Sequence, residues 1–283
     1  MLDIDPGRQG PPPRRAATVV LLRDASAGPE VFLVRRARSA AFMGGAYVFP
    51  GGAIEPGDSD PALLARVRGV DPAAAAHALG EALDPPTALG IFVAALRETF
   101  EEAGVLFGSS ARGAVDLREA RRRLASGTSL RALAEELALE LDAGALVPFA
   151  RWVTPAVEQR RYDAHFFLAV APSGCEHAVH DEAETVSSTW KRPADAVAEH
   201  LAGRIDLPPP TLRTLEELAG HARAADAIAA ARARRPPLVR PVFRDLDGVW
   251  VLALPGDPEH PEREAVVPGP TRFTLRNGRF VSG

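Results

Sequence analysis

Apolar and polar positions alternate along the first part of the chain in short runs separated by turn residues. Thr18 to Leu22 and Glu30 to Arg35 are β-branched and apolar, and Asp24 to Pro29 lies between them, which predicts a hairpin or strand pair. A third run, Tyr47 to Phe49, leads into Pro50-Gly51-Gly52. Adjacent glycines after an apolar strand mark a turn where backbone comes close to a ligand or takes unusual dihedrals. From Thr87 to Gly90 onward the period becomes helical, and Gly104 supplies a residue suited to the left-handed cap that ends the helix. At roughly 100° of rotation per residue, Phe92, Leu96, Phe100 and Ala103 fall on one side and Glu98, Glu101 and Glu102 on the other.

Further along, Leu117 to Leu124 and Leu130 to Leu141 read as two amphipathic helices joined by Ser126-Gly127-Thr128. His165 to Val170 and Thr185 to Trp190 read as strands, and Pro193 to Leu201 as a helix opened by proline. Thr211 to Arg232 carries Leu212, Leu215, Leu218 and Ile228 at helical spacing. Asp247-Gly248 and Asn277-Gly278 predict two hairpins, flanked by Val249 to Leu252 and by Phe273 and Phe280, packed on the same body. Pro208 to Pro210 and Pro236-Pro237 are rigid joints. Residues 1–16, rich in Gly, Pro and Arg, read as a mobile arm, and residues 17–283 as one domain.

Composition narrows the function classes. With 46% apolar residues over 283 positions the chain can bury a sizeable core, and no apolar stretch reaches membrane-spanning length. A net charge of −4 gives no reason to expect a nucleic-acid polymer as partner. Cys175 is the single cysteine, which excludes an internal disulfide and a cysteine-based zinc site. The start has no signal-peptide pattern and Val281-Ser282-Gly283 is not a peroxisomal address, so a cytoplasmic enzyme is expected. Apolar strand edges and the late hairpins would serve a homodimer or complete the monomer core.

The candidate chemistry lies in Arg97-Glu98-Thr99-Phe100-Glu101-Glu102-Ala103-Gly104-Val105. Like charges three and four apart on a helix repel by a few tenths of a kcal/mol per pair, so the three glutamates need a reason. A hard divalent cation supplies one, because Mg2+ takes oxygen ligands and is held by a few carboxylates together with substrate phosphates. The alternative is a solvated helix face on which Arg97 pairs with Glu101. The glycine turn upstream favours the cation. No Ser-His-Asp order, Walker loop or Cys/His zinc spacing competes for the site.

Together these residues resemble the box of the Nudix hydrolases: Gly, five residues, Glu, seven residues, then Arg-Glu-apolar-x-Glu-Glu-x-Gly-apolar. Gly52 matches the opening glycine, and Arg97, Glu98, Glu101, Glu102, Gly104 and Val105 match the second half. Asp58 stands where the family has its first Glu, Thr99 occupies an apolar position, and 38 residues rather than seven separate Asp58 from Arg97. The insertion, residues 59–89, holds Ala73 to Ala76 between prolines and reads as short helices, polar and alanine-rich without a core of its own. It is similar to the Nudix branch with an interrupted box that includes the mammalian peroxisomal coenzyme A diphosphatase. Arg151 to Pro155, Arg160 to Asp163, Leu207 to Leu212 and Leu254 to Asp257 match that branch in order. Ahead of the box, Arg36-Ala37, Gly45 and Phe49 to Gly52 match a pattern of coenzyme A-hydrolysing Nudix enzymes, with Ala41 in place of its second Arg.

The resemblance implies an α+β fold, a Nudix α/β/α sandwich around a mixed β-sheet, with helical additions at 59–89 and 111–145 and a C-terminal helix and hairpin extension, 208–283. It implies that Glu101, Glu102 and the Gly52 carbonyl surround Mg2+ or Mn2+, with Glu98 as a further ligand or as the group that activates water, and Arg97 holding a carboxylate in place. These enzymes often take a further acid from a later loop, for which Glu182 and Glu184 are the candidates because they precede the strand ending at Trp190. Arg36 matches the coenzyme A pattern, and Arg160, Arg161 and Tyr162 are expected to line the substrate cleft from their position next to the strand His165 to Val170. The implied reaction is hydrolysis of a nucleoside diphosphate linked to another group. Coenzyme A or acyl-coenzyme A would give 3',5'-ADP and 4'-phosphopantetheine or its acyl form. ADP-ribose, NADH or another dinucleotide, or a nucleotide-binding module without turnover, are the alternatives.

Overall fold

The computed structural model describes residues 5, 7, 9–37, 43–80, 82–172 and 185–283. In chain order, β1 (Arg14–Ala25), β2 (Gly28–Arg36), β3 (Tyr47–Val48) and β4 (Gly51–Ala53) come first. The insertion holds α1 (Pro61–Leu64), β5 (Val67–Arg68) and α2 (Pro72–Leu79), and α3 (Pro85–Ala103) carries the glutamates. Then follow β6 (Gly108–Ser110), α4 (Leu117–Ala125), α5 (Leu130–Glu136), β7 (Leu139–Asp142), β8 (Val147–Val153), β9 (Tyr162–Val170) and β10 (Thr185–Lys191). The last part contains α6 (Pro193–Leu201), α7 (Pro209–Leu218), α8 (Ala224–Arg232), β11 (Leu238–Val239), β12 (Val242–Leu246), β13 (Val249–Ala253), β14 (Arg272–Arg276) and β15 (Arg279–Ser282).

The main sheet runs β10-β2-β1-β9-β8-β11, with β3 on β2 and β4 on β1. It is mixed: β1–β9 and β8–β11 are parallel, and the other pairs are antiparallel. Strand periodicity sends alternate residues to opposite faces. Ala17, Val19 and Leu21 of β1 pack with Phe32, Val34 and Phe167 against α3, whereas Val20 and Leu22 pack with Leu33 and Leu168 against α6, α7 and α8. Both faces are covered, which is why β1 reads as a continuous apolar run. The result is the expected α+β sandwich.

Several boundaries differ from expectation. β1 begins at Arg14, where Arg14 N–H donates to Arg161 O at 2.9 Å, so the arm expected through residue 16 already contains strand. The helix expected to reach Leu141 stops at Glu136, Ala138 takes φ +48°, and Leu139 to Asp142 becomes β7, the centre of a three-stranded sheet with β5 and β6. That sheet ties the insertion to the body. Leu63, Ala75 and Leu79 join a core with Leu89 and Val93 of α3 and Leu130 and Leu133 of α5, so the insertion contributes apolar packing after all. The helical run after Pro208 is two helices separated at Gly220.

Both late hairpins form where expected. Asp247 and Gly248 take φ +53° and +86°, and Asn277 and Gly278 +50° and +76°, the paired positive values of a two-residue turn matched to strand twist. Their four-stranded sheet packs Leu252, Phe273 and Phe280 into the same core as Leu212 and Leu215 of α7. His200 fixes the arrangement, with one ring nitrogen 2.9 Å from Phe280 O and the other accepting from Leu207 N–H at 3.1 Å. No helix among the described residues is long and apolar enough to cross a membrane.

Candidate active site

α3 starts at Pro85, earlier than the expected Thr87 to Gly90, because its cap lies beside the prolines read as part of the insertion. The Asp84 carboxylate accepts from Thr87 N–H at 3.0 Å, Pro85 and Pro86 occupy the first positions where no backbone donor is missed, and Gly104 closes the helix at φ +70°. Between these caps, Ala88 to Phe100 is buried without interruption. The acidic side of α3 is therefore no solvated face: Glu98 and Glu102 are 9% and 5% exposed, and only Glu101 among the three is half-buried. What covers them is the glycine turn. β4 pairs with β1 so that Gly51 and Gly52 lie opposite Thr18 and Ala17, and α3 crosses above them. A Cβ on residue 52 would sit 2.4 Å from Glu98 Oε1, so glycine is the side chain that lets this carboxylate reach the turn. Gly51 N–H donates to Glu102 Oε2 at 2.9 Å.

The two halves of the interrupted motif meet in space. Arg97 Nε and Nη2 donate to the two oxygens of Asp58 at 2.8 and 3.0 Å, a bidentate pair with Arg97 5% and Asp58 2% exposed. Asp58 also accepts from Glu55 N–H at 2.8 Å, which closes the 3-10 turn Pro56–Ser59. Arg97 Nη1 donates to Glu98 Oε1 at 2.8 Å and is 3.4 Å from both oxygens of Glu101, and Nη2 donates to Ala53 O at 3.0 Å. One guanidinium thus ties the glycine strand, the turn before the insertion and two glutamates of α3. The insertion leaves and re-enters beside this pair. Thr99, polar in an apolar position, is satisfied by donating to Ala95 O at 2.7 Å.

Burial disfavours the ionised forms here. It pushes the Glu98 carboxyl up to about 7, against the opposing pull of Arg97 and with added repulsion from Glu101. Burial also raises Glu101, again opposed by Arg97. Arg97 suffers the same desolvation, but its hydrogen bond to Asp58 and the charges of Glu98, Asp58 and Glu101 outweigh it and hold the guanidinium charged. Among the described residues no three acidic, histidine or cysteine side chains stand together in a form able to hold a metal ion. The expected ligands share one turn without a common focus: Glu98 and Glu101 point to Arg97, and Glu102 to Gly51.

A cleft of about 1280 Å³ opens on this cluster. Gly52, Arg97, Glu98, Glu101 and Glu102 line it, as do Arg36 and Tyr162. Arg160 and Arg161 do not. Arg160 is exposed, and Arg161 donates to Thr154 O at 3.1 Å and to Pro11 O at 2.9 Å, holding the chain before β1 against the β8–β9 loop. Glu182 and Glu184 lie outside the described residues. Asp163 and Arg151 form a bidentate pair at 2.6 and 2.7 Å across β8 and β9, which keeps Asp163 below its ordinary range despite burial. Sequence reasoning missed the wall made by α4, whose Arg118, Arg121 and Arg122 line the cleft. Their i, i+3, i+4 spacing was the available signal.

Comparison with known proteins matches residues 64–218 to the family model described as the NUDT19 Nudix domain. The acyl-coenzyme A diphosphatase NUDT19 of Gallus gallus is 27% identical over 327 aligned positions, covering 98% of this chain and 82% of that protein. The acyl-coenzyme A diphosphatase NUDT19 of Homo sapiens is 28% identical, covering 75% of this chain and 70% of its own length. Among solved structures, a Nudix hydrolase from Alicyclobacillus acidocaldarius superposes with a TM-score of 0.64 at 30% identity, over 77% of this chain and 96% of the other.

Proposed function

Because this chain belongs to the Nudix hydrolases, within the NUDT19 Nudix domain family, we propose that the diphosphate bond it cleaves is that of coenzyme A or acyl-coenzyme A. The products are 3',5'-ADP and 4'-phosphopantetheine or its acyl form. The reading of this substrate is supported by the relatives named acyl-coenzyme A diphosphatase, which align along most of the chain.

The observation that carries the catalytic assignment is the buried Glu98 carboxylate, held by Arg97 at 2.8 Å against a glycine whose missing side chain leaves it room. Glu98 orients the attacking water or takes its proton, and Arg97 keeps that carboxylate aimed while Asp58 keeps Arg97 in place. The oxygen-only donor set suits a hard divalent cation, Mg2+ or Mn2+, which Glu98, Glu101, Glu102 and the Gly52 carbonyl would hold once the glutamates turn from the Arg97 and Gly51 contacts they make here. Such a cation neutralises diphosphate charge and lowers the pKa of bound water.

Incubation with Mg2+ and a panel of coenzyme A, acyl-coenzyme A, ADP-ribose and NADH, read by mass spectrometry, tests the reading. The expected result is 3',5'-ADP from the first two. Cleavage confined to ADP-ribose or NADH overturns the substrate, and no cleavage of any member overturns turnover itself.

A further inference from the structure

We propose that the arginine face of α4 is a subsite for a phosphomonoester that the substrate carries outside the diphosphate being cleaved. This rests on the diphosphatase reading of the cleft and adds to it a determinant of which diphosphates are accepted. Arg118, Arg121 and Arg122 stand at i, i+3 and i+4, one face of a helix, and all three line the cleft that Glu98 and Glu101 line. Three cations on adjacent turns repel each other. The cost is offset where an anion sits between them.

The position of the face is fixed by the catalytic helix. Arg121 Nε donates to Glu101 O at 2.8 Å, so α4 is tied to the end of α3 that carries the glutamates. Arg122 pairs with Glu119 at 2.5 Å, an exposed contact that a stronger anion displaces at little cost. Arg123, one position further round, is turned away from the cleft and forms a bidentate pair with Glu136 at 2.7 Å.

Charge assigns the ligand group. Glu98 and Glu101 repel any phosphate not shielded by a cation, so that side of the cleft binds no additional phosphate. Guanidinium groups bind phosphate through paired, charge-assisted hydrogen bonds, and a phosphomonoester brings nearly two charges and three acceptor oxygens. Coenzyme A carries such a group on its 3'-hydroxyl; ADP-ribose and NADH have none.

Calorimetry of the full chain with Mg2+ present, which shields the glutamates so that the 5'-phosphate common to both ligands is held on their side, compares 3',5'-ADP with 5'-AMP and tests the subsite without turnover. The wild-type chain should bind 3',5'-ADP about tenfold more tightly than 5'-AMP, the size of one or two charged hydrogen bonds. Arg118→Ala/Arg122→Ala should abolish that difference while leaving 5'-AMP affinity within about twofold, and Arg123→Ala should keep it. Equal wild-type affinity for the two nucleotides, no binding of 3',5'-ADP, or an equal loss for both in the double variant overturns the proposal. The substrate panel separates this from the reading beneath it. Cleavage of ADP-ribose but not coenzyme A, with the calorimetric difference intact, overturns the coenzyme A reading alone. Cleavage of coenzyme A with no calorimetric difference overturns the subsite alone.

Discussion

Asp58 and Arg97, 39 positions apart, form the pair from which Glu98 and Glu101 take their positions. Both are buried, so removing one partner leaves an uncompensated charge in a desolvated site. Asp58→Ala should therefore cost about 3 kcal/mol of unfolding free energy, read from a urea midpoint with unchanged slope; a loss within experimental error of zero contradicts the pair's role. Glu98 makes a different prediction. Its folded carboxyl titrates near 7 against an ordinary 4.5, so the stability tied to its protonation is complete below about 4.5 and is lost as pH rises through 7. Without divalent cations, Glu98→Gln should become more stable than wild type across that window, by an amount on the order of 3 kcal/mol above pH 8. A constant gap from pH 4 to 8 contradicts the buried, desolvated carboxylate. Residue identity was readable here because Arg97, the glutamates and Gly104 keep the spacing of the second half of the box, and Gly52 and Asp58 that of the first. The bidentate contact to Asp58 was not, because nothing in 38 intervening residues says that the chain returns.

At the scale of elements, the start of α3 was placed at Thr87 to Gly90 and lies at Pro85, since the two prolines after Asp84 read equally well as breakers of the insertion, whereas its end was legible because Gly104 is a local cap. The same holds for the hairpins at Asp247-Gly248 and Asn277-Gly278, where two consecutive positive φ values require such residues. The strands β5, β6 and β7 were not legible. They have two to four residues, too few for an alternation to show, and β7 exists because its neighbours offer backbone partners that a sequence pattern does not display. The burial of the glutamate side was hidden for a related reason: periodicity separates two faces of α3 but does not say that β4 covers the second. Gly104 gives the test at this scale. Its φ of +70° and a neighbouring Arg121 Nη1, 3.2 Å from where a Cβ would lie, make Gly104→Ala costly by about 1 to 2 kcal/mol. Because Arg121 also bonds to Glu101 O, thermal melting should show lower stability together with a loosened α4, read as faster amide exchange at residues 117–125. Unchanged exchange there contradicts the coupling of α4 to the end of α3.

In the whole molecule, one mixed sheet carries two cores, and the cleft opens where the glycine turn, α3, α4 and the proline-rich start of α7 come together. The C-terminal sheet belongs to the second core, with Phe273 fully buried and Arg213 of α7 5.1 Å above its ring. The Nudix fold and its diphosphate chemistry follow from family membership; the finer assignment rests on a carboxylate cluster held by one guanidinium. The most direct measurement is turnover of acyl-coenzyme A by wild type and Glu101→Gln with Mg2+ present, products identified by mass spectrometry and folding checked by circular dichroism. The account predicts 3',5'-ADP from wild type and a loss on the order of 100-fold in a variant that keeps its fold. Full turnover by folded Glu101→Gln would contradict it.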